Sequence, residues 1–134
     1  MAIRYRITKR TNNINPAKES NYIMQSVSTG TIDSRRLSKE ISMESTLSPT
    51  DVHAVLFALG EKLQFHLQEG KTVDLENIGK FKLGFKCKAE EDPLNLNPKR
   101  SISKYHLNFQ PSIFIKRLLK KGITTYKEGS RSKD

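Results

Sequence analysis

Residues 48–89 read SPTDVHAVLFALGEKLQFHLQEGKTVDLENIGKFKLGFKCKA, and this stretch decides the fold. Ser48 can cap free helical amides, Pro49 suits the first helical position, and Asp51 can complete a capping box. Leu47 and Val52 are spaced for a hydrophobic staple. Val52, Val55, Leu56, Leu59, Leu63 and Leu67 then recur at the three-and-four spacing of one helical face, and Gly70 supplies a left-handed stop. The spacing predicts a helix over Pro49 to Glu69. Ala54, Phe57, Ala58 and Phe65 lie off that stripe and would face water if one sheet were the only partner, so a second subunit is the expected cover.

After Gly70 the period changes to two. Residues 72–75 read as a short strand, 76–79 as a turn in which Asn77 and Gly79 tolerate positive φ, and 80–89 as a longer strand. Phe81, Leu83, Phe85 and Cys87 alternate with Lys80, Lys82, Lys86 and Lys88, which gives one apolar and one cationic face.

Helix, Glu69-Gly70, short strand and Asn77-Ile78-Gly79-Lys80-Phe81 together resemble the HU/IHF family of bacterial histone-like proteins. That family has Gly-Phe-Gly-x-Phe at this point, so Asn77 and Ile78 depart from it. The resemblance covers roughly residues 31–122, and the added amino-terminal segment is similar to the divergent HU-like proteins of Bacteroidetes-type bacteria. It implies an α+β fold: an intertwined dimer with a helical pair under an antiparallel sheet, a protruding two-stranded arm, and an amino-terminal β-hairpin. The implied division is a hairpin extension over 1–30, an HU-like DNA-binding domain over 31–122 and a polar tail over 123–134.

Length and composition fit one domain with a modest core, which oligomerisation would help. The net charge of +10 and pI near 9.8 point to a polyanionic partner. The single Cys87 excludes an internal disulfide and, on the apolar face of its strand, reads as a small buried hydrophobe. No apolar run approaches the ~18 residues of a membrane span, and the first residues lack the apolar core of a signal peptide, so a cytoplasmic protein is expected.

Residues 3–9 alternate apolar and basic residues as a half-buried strand does, and 21–27 read as its hairpin partner, joined through a flexible polar segment over 11–19. Asp33 caps a predicted helix over 34–43. The two helices could suggest a helix-turn-helix reader, but the second opens on Val52, Val55 and Leu56 where base-reading side chains would stand. Beyond Ala89, Glu90-Glu91-Asp92 and residues 93–100 read as an irregular loop at the far end of a ribbon. The return strand over 102–110 places Lys104, His106 and Asn108 on the face that matches the lysines. Ser112 caps a last helix with Ile115, Leu118 and Leu119 as its packing stripe, Gly122 as its stop, and Lys116, Arg117 and Lys120 on the other side.

His53, His66 and His106 are far apart with no ligand at metal spacing, and no nucleophile elbow, phosphate-cradling loop or zincin motif occurs, so neither a metal, a cofactor nor an enzymatic activity is expected. What remains is a cationic ribbon of Lys80, Lys82, Lys86, Lys88, Lys104 and His106. Such lysines can simply prevent edge aggregation; joined to the element order and the charge, they favour phosphates. The resemblance implies a dimeric saddle whose ribbons embrace and bend double-stranded DNA with little sequence preference, as a nucleoid-associated protein. Lys116, Arg117 and Lys120 would add flanking contacts. Asn97-Pro98 is similar to the Asn-Pro of HU arms, which implies Pro98 as a wedge between base pairs with Lys99 and Arg100 on adjacent phosphates. Glu90, Glu91 and Asp92 stand where the family is basic, and they favour the competing reading of a dimeric scaffold that has lost DNA binding.

Overall fold

The computed structural model describes residues 2–10, 14 and 21–129, in two units: residues 33–117, and residues 1–32 with 118–134.

In the first unit, α1 (Ser34–Met43) packs on α2 (Pro49–Gln68). Both begin on the caps expected of them. Asp33 Oδ1 accepts from Arg36 N at 2.9 Å, and Ser48 Oγ accepts from Asp51 N at 3.1 Å while donating to Asp51 Oδ2 at 2.8 Å. Each cap satisfies an amide that the helix leaves open. The α2 helix ends at Gly70, whose φ of +79° lets the chain reverse.

Along α2, Val52 (4% exposed) and Leu67 (8%) are buried, and Leu56, Leu59 and Leu63 are half-buried. Val55, expected on the same stripe, is exposed: three residues beyond Val52 it lies about 60° short of a full turn. It joins Ala54, Phe57, Ala58 and Phe65 on a second apolar face, exposed among the described residues. Val52 and Leu67 are the only fully buried apolar side chains among the described residues.

The strands β3 (Val73–Asp74), β4 (Gly79–Cys87) and β5 (Ile102–Pro111) form an antiparallel sheet in the order 3-4-5. In the turn between β3 and β4 the left-handed residue is Glu76 (φ +36°), not Asn77. Its amide donates to Asp74 Oδ1 at 3.0 Å, and that local hydrogen bond selects the turn. Gly79 has φ of +149°, and a Cβ there would run into Gln110 O and stand 2.6 Å from Phe109 Cε2, so the ring of Phe109 lies where a side chain would be. The buried Ser112 donates to Asn77 O at 2.6 Å and accepts from Ile115 N at 3.4 Å, tying the start of α4 (Ile113–Lys120) to this turn.

The segment between β4 and β5 is more ordered than the irregular loop expected from its sequence. Asp92 caps a 3-10 turn over Pro93–Asn95, and Asn97 caps the one-turn helix α3 (Pro98–Ser101). Ser101 is buried and its Oγ accepts from Asn97 N at 2.9 Å. Two Asx caps followed by prolines, at 92–93 and 97–98, produce this order. Cys87 is exposed instead of buried, because its strand has by then run out along the ribbon.

In the second unit, β1 (Ala2–Arg10) pairs antiparallel with β2 (Asn21–Val27) and parallel with β6 (Thr124–Lys127), giving the order 2-1-6. Strand β6 occupies part of the stretch assigned from sequence to a polar tail. Thr124, Thr125 and Tyr126 suit a strand, and the Arg6 guanidinium donates to Glu128 Oε2 at 2.5 Å and Oε1 at 2.8 Å just beyond it. Those hydrogen bonds, more than the charge itself, hold the Glu128 carboxyl below its ordinary range. Ile3, Ile7, Tyr22 and Met24 on one face of the sheet are exposed, whereas Arg4, Ile23, Val27 and Tyr126 on the other are half-buried. The linker expected over 11–19, Ile14 apart, and residues 130–134 lie outside the described residues. No described helix is long and apolar enough to cross a membrane.

Candidate nucleic-acid interface

The register of β4 on β5 builds the surface. Lys80 stands opposite Gln110, Lys82 opposite Asn108, Gly84 opposite His106 and Lys86 opposite Lys104. Cross-strand partners share a face, so Lys80, Lys82, Lys86, Lys104 and His106 line one side with the amides of Asn108 and Gln110. The other side carries Phe81 against Phe109, with ring centroids 4.9 Å apart, Leu83 against Leu107, and Phe85 against Tyr105 at 6.1 Å. The aromatic pairs fix which side the lysines take, since a one-residue slip would bury them.

Gly84 has a specific part in this surface. A Cβ at position 84 would stand 2.7 Å from His106 Nε2, so the imidazole lies across the strand in the gap that glycine leaves between Lys82 and Lys86. His106 is half-buried there.

A bulge between Lys86 and Cys87 moves the pairing so that Cys87 faces Ile102 and leaves Ser103 over. Ser103 Oγ donates to Lys86 O at 3.3 Å, and the Lys88 amide donates to Ser101 O at 2.8 Å. Lys88 therefore belongs with the tip: it shares a cleft of about 350 Å³ with Glu90, Asn95, Arg100 and Ser101. Pro98 is exposed at the first position of α3, and it shares a small apolar cleft with Phe85, Cys87, Leu96 and Ile102. Lys99 is exposed beside it.

At the other end, Lys80 and Lys116 line a cleft of about 260 Å³ together with Asp74 and Glu76. Asp74 is the cross-strand partner of Lys80. Sequence reading missed these two acids, although the hairpin register brings Asp74 opposite Lys80 once the turn is known. Arg117 and Lys120 are exposed along α4. Among the described residues Lys82, Lys86 and Lys104 make no ion pair, and they share their face with His106.

The model of the HU-HIG family, described as an HU domain fused to a wHTH, Ig or glycine-rich motif, matches residues 1–127. The chain belongs to the HU-HIG family. Its fold is α+β and HU-like, as two solved structures also show. A candidate bacterial DNA-binding protein from Bacteroides vulgatus superposes with a TM-score of 0.64 at 12% identity over 98% of this chain. The match takes in 50% of that protein, so the HU-HIG chain spans about half its length. Anabaena HU, crystallised with DNA, superposes with a TM-score of 0.50 at 15% identity over 66% of this chain and 97% of its own. No curated protein matches the chain.

Proposed function

We propose that this HU-HIG protein is a non-enzymatic, histone-like protein that binds and bends duplex DNA as a homodimer, with weak sequence selectivity, on the nucleoid in the cytoplasm. The observation that carries the reading is the register that sets Lys82, Lys86, Lys104 and His106 on one ribbon face, backed by a paired aromatic face. Lysines at strand spacing suit phosphates, and Asn108 and Gln110 are the two amide side chains on the face that could read a base bidentately. The Anabaena HU structure holds DNA, which supports the choice of partner for a chain of the same fold. Lys80 and Lys116, beside Asp74 and Glu76, contribute less. Lys88, Lys99, Arg100, Arg117 and Lys120 act as outlying phosphate contacts.

Salt dependence tests this. With about six phosphates neutralised, affinity for a random duplex should fall roughly a thousandfold between 50 and 200 mM salt, and should vary little with sequence. A flat response would favour the second reading, a dimeric scaffold without DNA binding, for which the acidic run Glu90-Glu91-Asp92 on the ribbon speaks.

Bending depends on the tip. Pro98 is rigid, exposed and held by the Asn97 cap, so it suits insertion between base pairs. Pro98→Ala is expected to reduce the bend angle, read by energy transfer on end-labelled duplexes, more than it weakens binding, because unstacking a step costs a few kcal/mol that only an inserted wedge offsets, and without the wedge both the cost and its compensation disappear. An unchanged angle would remove Pro98 from the contact surface.

A further inference from the structure

Two features of the 33–117 unit play no part in a phosphate-binding ribbon. The first is a projection. Leu94 is 89% exposed, one of the least covered large apolar side chains in the described chain. It is not on a loose loop: Asp92 Oδ1 accepts its amide at 3.0 Å, Asp92 O accepts from Asn95 N at 3.0 Å, and Pro93 O accepts from Leu96 N at 3.2 Å. The side chain is thus presented on a capped turn immediately after Glu90, Glu91 and Asp92, all exposed. Three consecutive carboxylates make this a poor surface to bring against phosphates.

The second feature is a recess. Where α1 meets the start of α2, a cavity of about 650 Å³ is lined by Arg35, Arg36, Ser38, Lys39, Pro49, Thr50 and His53. Arg36 pairs with Glu40 at 3.1 Å; Arg35 and Lys39 bring two more full charges, and the aliphatic stems of all three, with Pro49, give the recess apolar walls. It is an open recess walled by long cationic side chains and Pro49, opposite in charge to the acidic surroundings of Leu94.

We propose that the arm tip of one molecule docks into the α1–α2 recess of a second copy of this chain, with Leu94 entering the recess and Glu90 and Glu91 meeting Arg35 and Lys39. The occupant is chosen by opposite charge together with an exposed leucine for the aliphatic stems to cover, which a DNA backbone does not offer. Because projection and recess are different patches, the contact is heterologous, and it extends into a row unless its rotation closes a ring. Successive molecules can therefore add along a row, and a tip engaged this way is withheld from DNA.

Sedimentation velocity of the full chain without DNA, over a rising concentration series in about 0.15 M salt, tests this. At that ionic strength the overall repulsion between basic molecules is screened beyond ~8 Å while contacting pairs still act. Species larger than a dimer should grow with concentration. Reversing the tip (Glu90→Lys with Glu91→Lys) or the recess (Arg35→Glu with Lys39→Glu) should weaken that association about tenfold or more, and combining the two reversals should restore it. Leu94→Asp, at an exposed position, repeats the test without touching the helices. Wild type that stops at one dimer at every concentration, or reversals without effect, would overturn the proposal. So would a recess reversal that lowers DNA affinity while self-association is unchanged, since the recess would then be a phosphate surface. None of these outcomes bears on the salt dependence of the lysine ribbon.

Discussion

Replacing Lys82, Lys86 and Lys104 together by Glu is expected to lower affinity for duplex DNA by about a thousandfold or more near 50 mM salt. The three are exposed and share one ribbon face by register, with Lys86 directly opposite Lys104. In a dimer the change reverses six charges. Each lost phosphate contact should take about 0.9 from the slope of log affinity against log salt, so most of the slope of roughly five that about six contacts give should be lost. Anisotropy of a labelled duplex, titrated at several salt concentrations, measures both quantities at once. Lys80→Glu with Lys116→Glu serves as the comparison. Those lysines already lie beside Asp74 and Glu76, and their loss should change the slope by about one or less. Equal effects from the two variants would mean that general charge, not the ribbon face, holds DNA. Because all three ribbon lysines are exposed, the thermal midpoint should move little, which separates lost contact from lost fold.

Much of this surface was legible in the sequence because its period is two and its punctuation is strong. Asp33, Ser48 and Gly70 marked helix ends that depend on a few local hydrogen bonds, and Phe81, Leu83 and Phe85 marked the face that the lysines avoid. What escaped depends on information that no local window holds. Strand β6 pairs parallel with β1 at the other end of the chain, and four residues such as Thr124–Lys127 have too short a pattern to announce a strand. The bulge at Lys86/Cys87 shifts Ser103 out of register and carries Lys88 towards the tip, which alternation alone cannot foresee. The left-handed residue of the hairpin turn is Glu76 because Asp74 accepts its amide, so residue preference pointed to Asn77 and the local hydrogen bond decided otherwise. Helix α3 was hidden in a stretch that read as irregular, although Asn97-Pro98 is a cap followed by a first-turn proline.

Phe57→Asp combined with Phe65→Asp should abolish the homodimer and, with it, most of the cooperative fold. In the single chain these rings are 65% and 53% exposed, so a charge at either position costs an isolated chain almost nothing. The same chain fully buries only Val52 and Leu67 among its described apolar side chains, and Ile113, Phe114, Leu118 and Leu119 of α4 are also exposed. A core that small is a weak basis for a domain of this length. If the second face of α2 is instead covered by a partner, each ring gains about 1.5–3 kcal/mol, and four rings per dimer gain roughly 6–12 kcal/mol. Losing even the lower figure corresponds to about four powers of ten in the dimer dissociation constant. Sedimentation equilibrium should then show no dimer, and the thermal transition, concentration-dependent in the wild type, should vanish or fall far below it. A variant that keeps its dimer and its midpoint would place the subunit contact elsewhere. The exposed face of α2 would then need a different occupant, because a helix apolar on two sides does not stay bare in water.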